Sequence, residues 1–492
     1  MTLWLALDIG TTGTKAALIE ANGQVLRSAY RDYPTQTAEG GVVEQDVRDW
    51  WQAAADAARE LNPTDAEAIV ITGQMQNVIL LDASGEPVRP VILYSDSRAH
   101  AEAAALQAAV EPETLRQLTG NDQEAGSLIA KLRWLMAHEP QTLERAAHLL
   151  VGAADAIAFR LTGKATSDTT TASTTGLMDI STRAWLSADD LARCGIASAG
   201  RLFANLRSGG SQIGAVLPQP AAAWQVRPGI PVYLAPGDAG AATLGAGSGV
   251  PGYPYAYIGT SGWVAFTADH RALPESGVFT LAHPQPERFI CVAPLLTAAG
   301  NFDWAKGLFG ADSHAAMIDA ALAQPPARLL YLPYLNGERS PFSDPFARGA
   351  FIGLEPRHTQ PDLVRAVLEG VAFAYRHALD SLLNTPIAHL VLTGGGTRSA
   401  GWCQMIADIT GVEVSIAPDA ANVGLRGAVL AARVADGAAP NFALADSAQQ
   451  TAVIQPDSAR HAHYDRQYRH FRAAYPALKS LFADMAADQT GA

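Results

Sequence analysis

Cysteine is scarce in this chain, with three in 492 residues. Cys194, Cys291 and Cys403 are far apart, odd in number and form no Cys-x-x-Cys pair. That excludes a disulfide framework and a cysteine zinc site, and they read as buried thiols of a reducing compartment. Charge is sparse too. Charged residues make up 17%, the net charge is −13, and no cluster of Lys or Arg stands out. Binding of nucleic acid by phosphate neutralisation is thereby excluded. No apolar stretch is long enough to span a bilayer, and the N-terminus lacks a basic segment before an apolar one. A cytoplasmic protein with no membrane partner is expected. The twelve histidines hold no pair at metal-ligand spacing. The P-loop pattern Gly-x4-Gly-Lys-Ser/Thr is missing, and no Gly-x-Gly-x-x-Gly opens a helix after a strand, which argues against a dinucleotide-binding fold.

What is present is a globular composition, 48% hydrophobic. The length exceeds what one core can serve, so two domains are expected. Two segments look like copies of one device. Leu5 to Ile19 and Ala256 to Phe266 are each an apolar strand, a turn of Gly and hydroxyl residues, and a second apolar strand. Gly13 and Gly262 are expected to supply a positive φ for a tight hairpin. Turns of this kind aim backbone N–H groups and hydroxyls at one spot and can hold phosphate. After each hairpin, helices and strands alternate, the pattern of an α/β layer domain. Helices are expected over Glu44 to Leu61, Ala99 to Ala109, Ser127 to Ala137, Ala153 to Leu161, Pro361 to Leu382, Gly401 to Thr410 and Leu425 to Val434. Thr166 to Thr175, crowded with Thr and Ser, reads as a loop with hydroxyls facing a cleft or solvent. Gly, Ala and Pro crowd Ala239 to Gly249, which sets the domain boundary there.

Several polar residues stand at strand ends, where α/β domains bind ligands. Asp8 closes the first strand beside the first turn and can hold Mg²⁺, which takes one or two carboxylates; an Asx-turn cap is the alternative. Asp238 follows the strand Pro231 to Ala235 among small residues that leave room for a ligand. It can accept a proton from a substrate hydroxyl as phosphoryl transfer proceeds, or it caps a helix. Gln74, Met75 and Gln76 follow another strand, and amides read hydroxyls well. Gly394 to Gly396 let backbone pass close to a ligand, or simply make a tight turn.

Together these residues resemble the FGGY family of carbohydrate kinases, over nearly the whole chain. The resemblance rests on Asp8-Ile-Gly-Thr-Thr-Gly-Thr-Lys15, Gly73-Gln74-Met75, Tyr94-Ser-Asp-Ser-Arg98, Ser173-Thr-Thr-Gly176, Gly237-Asp238, Ile258-Gly-Thr-Ser-Gly262, Asn336-Gly-Glu-Arg339 and Leu392 through Asp408. It implies an α/β fold of two actin-like (ribonuclease H-like) ATPase domains with a cleft between them. Residues 1–247 would form the sugar-binding domain with the first phosphate hairpin, and 248–492 the nucleotide-binding domain. It implies ATP with Mg²⁺, and phosphorylation of a sugar hydroxyl. Members acting on D-xylulose are the nearest in pattern, so D-xylulose to D-xylulose 5-phosphate leads, with gluconate, ribulose or glycerol as alternatives. A sensor of the same fold that binds sugar or nucleotide without turnover is a further alternative. Many members are dimers, so a homodimer is expected. Carried over, Asp238 is the general base, Asp8 places Mg²⁺, and Thr11 and Thr12 face the transferring phosphoryl group. Gly259 and Thr260 hold the other side of the phosphates. Gly300 and Asp303 lie near the nucleotide, Gly394, Gly395, Gly396 and Ser399 border adenosine, and Gln74, Met75 and Gln76 meet the sugar. Two positions depart from the xylulose pattern: Gln76 stands where His is usual, and Ala239 where Asn is usual. A site that hydrogen-bonds a hydroxyl can discriminate by about four to five orders of magnitude, which Ala239 cannot do directly.

Overall fold

A computed structural model describes residues 2–272, 277–383, 387–444 and 453–490. β1 (Leu3–Ile9) pairs antiparallel with β2 (Gly13–Glu20), and β2 with β3 (Val25–Asp32). α1 (Val47–Glu60) follows, capped by Asp46, whose side chain accepts the Arg48 N–H at 2.8 Å. Its start shows that Glu44 and Gln45 belong to a short strand, Val42–Gln45, rather than to the helix. β4 (Ala68–Gly73) then lies parallel to β1. A mostly helical insertion precedes α2 (Ala153–Thr162), the turn α3 (Thr169–Ala172), β5 (Ser211–Ala215) and β6 (Pro231–Leu234). The sheet order is β5-β6-β4-β1-β2-β3, with β6, β4 and β1 parallel.

The second half repeats the plan. α4 (Asp238–Gly245) leads to β7 (Tyr255–Ile258), β8 (Gly262–Ala268), β9 (Phe279–Ala282) and β10 (Phe289–Leu295). α5 (Gly300–Phe309) and α6 (Gln360–Leu382) precede β11 (His389–Thr393), α7 (Ala400–Thr410), β12 (Glu413–Ile416) and α8 (Val423–Ala435). The order is β9-β10-β8-β7-β11-β12, with β7, β11 and β12 parallel. Each lobe is thus an antiparallel hairpin set continued by parallel strands, the expected two-lobed α/β architecture. The chain continues into α9 (Ser458–Thr490), whose Tyr464, Tyr468 and Phe471 pack into the second core. Its polar face and internal Pro476 hide its period in the sequence. Among the described residues, no helix is long and apolar enough to cross a membrane.

β1 is buried on both faces, hence its continuous apolar run. Leu5, Leu7 and Ile9 meet Trp50 and Ala54 of α1 and Ile157 of α2. Trp4 and Ala6 face the other way, toward Leu425, Ala428 and Val429 of α8. A helix from late in the chain therefore roofs the first sheet. It crosses α4 at backbone distance: a Cβ on Gly245 would lie 1.8 Å from the Val423 carbonyl oxygen, and one on Gly427 1.9 Å from that of Ala241.

The lobes also meet along β9. Asn121 clamps Thr280, its Nδ2 donating to the Thr280 carbonyl at 2.8 Å and its Oδ1 accepting the Thr280 N–H at 2.9 Å. Two residues on, the Thr170 hydroxyl donates to the Ala282 carbonyl at 2.7 Å, and the Ser173 hydroxyl accepts the Ala282 N–H at 3.0 Å. Thr166 to Thr175 is thus no open loop: Thr166–Asp168 is a strand, α3 follows, and nearly all of it is buried. The hydroxyls serve as donors and acceptors for the seam.

Gly427→Val must push the two helix backbones apart, and overpacking of this kind costs on the order of 1–3 kcal/mol or more. A loss of that size is expected in denaturant unfolding, with both lobes affected. An unchanged midpoint would show that the crossing has slack.

Candidate active site

The parallel strands β1, β4 and β6 end side by side, and their C-terminal ends deliver Asp8 with the first turn, Gln74 to Gln76, and Asp238. The first turn is braced from below. The Gln45 amide donates to the Thr11 carbonyl and the Thr35 hydroxyl, both at 2.7 Å, while its oxygen accepts from Trp50 Nε1 at 2.8 Å and Gln74 Nε2 at 3.1 Å. The Tyr33 hydroxyl donates to the Gly10 carbonyl, and the Thr12 and Tyr30 hydroxyls meet at 3.2 Å. Gln74 is buried, and its amide nitrogen points at this brace, not outward. Thr11 is half-buried and Thr12 exposed, so both remain accessible from the cleft.

Neither turn glycine adopts the positive φ expected of it. Space is the constraint instead. A Cβ on Gly13 would lie 2.4 Å from the Arg31 carbonyl oxygen, and one on Gly262 would lie 2.0 Å from the Tyr375 hydroxyl. The residue that does take a left-handed conformation is Gln76, at φ 61°. Its Nε2 reaches toward the Gly126 carbonyl at 3.5 Å.

Asp238 opens α4 as its first residue, with Gly237 as N-cap, and its Oδ1 accepts the Ala239 N–H at 2.7 Å. Burial, and then the like charge of Asp8, push its carboxyl up to about 7. Ala239, Met75, Tyr257 and Trp263 all pack on one apolar cluster, so an apolar wall adjoins the carboxylate. Trp263 Nε1 is already engaged by the Tyr255 hydroxyl at 2.8 Å. Burial also raises the Asp8 carboxyl, with Lys15 opposing. Asp8 Oδ1 is buried without a hydrogen-bond partner, a demand that a hard cation satisfies. The residues present therefore fit Mg²⁺. The second half closes in here: Lys15 Nζ donates to the Ala421 carbonyl, and a Cβ on Gly424 would lie 3.5 Å from Asp8 Oδ2.

In the other lobe the second turn is braced by the start of α5. The N–H groups of Ala298 and Gly300 donate to the Thr260 carbonyl at 2.9 Å, and that of Ala299 to the Gly259 carbonyl at 2.8 Å. Gly394, at φ 93°, passes so close to Ile258 that a Cβ would lie 2.5 Å from its carbonyl oxygen. Gly259, Thr260, Gly300 and Gly394 to Gly396 thus gather at one end of β7. Ser399 caps α7, accepting the Trp402 N–H at 3.3 Å. Asp303 is exposed one turn into α5, and its carboxylate lies 2.9 Å from His314. Missed in the sequence are Tyr33 and Lys15, and above all Asp168. That carboxylate lies hidden in the Thr/Ser-rich stretch, where an acid among hydroxyls is the signal to look for.

Comparison with known proteins agrees with this fold. Residues 3–245 match the N-terminal domain model of the FGGY family of carbohydrate kinases, and residues 255–435 its C-terminal domain model. The chain belongs to this family, and it is a carbohydrate kinase with a sugar and ATP as substrates. Xylulose kinase of Escherichia coli (strain K12) is 34% identical, covering 98% of this chain and 100% of its own length. The structure of xylulose kinase from Rhodospirillum rubrum superposes with a TM-score of 0.86 at 30% identity, covering 98% of this chain and 100% of that one. Gluconate kinase from Lactobacillus acidophilus superposes at 0.90 with 25% identity, covering 98% of this chain and 100% of that one. Both lobes are therefore actin-like domains.

A base works only as the carboxylate. With the Asp238 carboxyl near 7, kcat/KM is expected to climb about tenfold per pH unit below that value and to level off above it. The check is an initial-rate profile at several Mg²⁺ concentrations, the bend moving to lower pH as a cation at Asp8 cancels the like charge that raises Asp238. A flat profile from about pH 5.5 to about 8.5 would contradict the assignment.

Proposed function

We propose that the chain transfers the γ-phosphoryl group of ATP to the terminal hydroxyl of D-xylulose, giving D-xylulose 5-phosphate and ADP. The observation that carries this reading is Asp238, a half-buried carboxylate of raised proton affinity that follows the C-terminal end of β6. Asp238 orients the hydroxyl and accepts its proton as the oxygen–phosphorus bond forms and the bond to ADP breaks. Thr11 and Thr12 meet the transferring group from one lobe, and Gly259 and Thr260 from the other. Gly300 and Gly394 to Gly396 lie along the nucleotide, with Ser399 fixing the helix behind them. Mg²⁺, held by Asp8, would supply neutralisation of phosphate charge. Met75 and Gln76 meet the sugar, and Gln74 sets the turn beneath it. In this reading residues 1–247 carry the sugar and 248–492 the nucleotide, and the three buried free thiols suit the cytoplasm. A homodimer accords with the family pattern.

A second reading keeps the reaction and changes the acceptor to gluconate, ribulose or glycerol. It is favoured by the apolar wall at Ala239, which offers a sugar hydroxyl no partner. ADP release measured across a panel of these acceptors decides between the two. D-Xylulose is expected to give the highest kcat/KM, and a better acceptor would replace it. Asp238→Asn should abolish turnover on every sugar while nucleotide still binds, and substantial turnover would sink the base. Ala239→Asn restores a side-chain partner at the wall, and one added hydrogen bond is worth up to about tenfold in preference for D-xylulose over the other acceptors.

A further inference from the structure

Asp168 ends the short strand Thr166–Asp168 and is 1% exposed. A buried carboxylate needs donors, and this one has them. Its Oδ1 accepts the Thr171 N–H at 2.9 Å, and its Oδ2 accepts the Thr171 hydroxyl at 2.5 Å. The N–H of Gly237, the residue immediately before Asp238, faces this carboxylate and favours its charged form. The Thr171 hydroxyl forms one wall of that turn, since a Cβ on Gly237 would lie 2.6 Å from it. Opposite, the Thr72 hydroxyl holds the Pro236 carbonyl at 2.7 Å. The single peptide unit that leads into Asp238, Pro236–Gly237, is thus held at its carbonyl by the Thr72 hydroxyl of β4 and walled on its other side by the Thr171 hydroxyl that Asp168 fixes.

We infer that Asp168 is a positioning residue: by fixing the Thr171 hydroxyl against the Gly237 turn, it sets the direction in which Asp238 presents its carboxylate. The inference rests on the reading of Asp238 as the base. Asp168 touches no reacting atom. Its neighbours in the chain give it reach, because Thr170 and Ser173 bind the edge of β9. The same short segment therefore fastens the lobe seam on one side and the base turn on the other. Thr170 also abuts α4, its Cγ2 lying 2.9 Å from where a Cβ on Gly240 would be.

The test is a comparison of Asp168→Ala with Asp168→Asn in the full chain, with kcat and both KM values measured on the best acceptor sugar. A displacement of the base of about 1 Å costs on the order of 100-fold. Asp168→Ala is expected to lower kcat about 30- to 100-fold, with KM for sugar and ATP within about twofold. Asp168→Asn keeps an oxygen acceptor and should recover most of that loss. Should the alanine variant fail to fold, Thr171→Val removes the hydroxyl but leaves the carboxylate, and a kcat loss of about fivefold with unchanged KM is expected. A wild-type kcat in Asp168→Ala, a loss appearing in KM alone, or equal losses in the alanine and asparagine variants would each overturn the inference. Asp238→Asn run in parallel separates the two readings. Turnover by that variant removes the base itself, whereas an inactive Asp238→Asn beside a fully active Asp168→Ala removes the positioning role alone.

Discussion

Where α4 crosses α8, the carbonyl oxygens of Val423 and Ala241 occupy the space that side chains on Gly245 and Gly427 would need. No water and no side chain intervene at such a distance, so the two helices move as one body. Both ends of that body matter. α4 begins with Asp238. α8 begins beside Asp8, with Gly424 against the carboxylate and the Ala421 carbonyl just upstream receiving Lys15. A helix crossing set by two missing side chains thus fixes two carboxylates with respect to each other, although they come from strands far apart in the chain.

Those carboxylates are placed against their own electrostatic preference. Burial disfavours charge on both, and the charge of Asp8 further disfavours that of Asp238. Lys15 opposes this for Asp8 alone. An unsatisfied buried oxygen costs about 1–3 kcal/mol, and Asp8 Oδ1 is such an atom. The fold carries this cost because the surrounding layers determine the backbone on every side. In the proposed reaction a cation at Asp8 and a substrate hydroxyl at Asp238 would relieve it together. Affinity for the reactants is therefore partly stored in the resting protein as strain between like charges.

Much of this architecture was legible from the chain. β1 and β7 announce themselves as apolar runs ending in glycine and hydroxyl residues, because strands buried on both faces have no polar positions to blur the pattern. Asp8, Asp238 and the glycine turns follow from standing at strand ends. Other features depend on distant partners and leave no local period. Gly13 and Gly262 look like residues chosen for backbone freedom, yet what excludes a side chain is Arg31 for one and Tyr375 for the other. Gln74 looks like a sugar ligand, yet its amide nitrogen is drawn inward by Gln45. The Thr/Ser-rich segment looks solvated because hydroxyls usually are, and its burial makes sense only once β9 supplies the groups it binds. α9 escapes notice because its polar residues outnumber the aromatic ones that anchor it.

The seam along β9 has a consequence for the life of the protein in a crowded solution. The outer edge of a sheet carries unpaired N–H and C=O groups that can template pairing with another chain. At Thr280 and Ala282 all four such groups are taken by Asn121, Thr170 and Ser173 of the opposite lobe. The surface that joins the lobes therefore also silences an adhesive strand. Any excursion that parts the lobes at this line would expose it, so keeping the lobes together guards the protein against self-association as well as keeping its reactants in line.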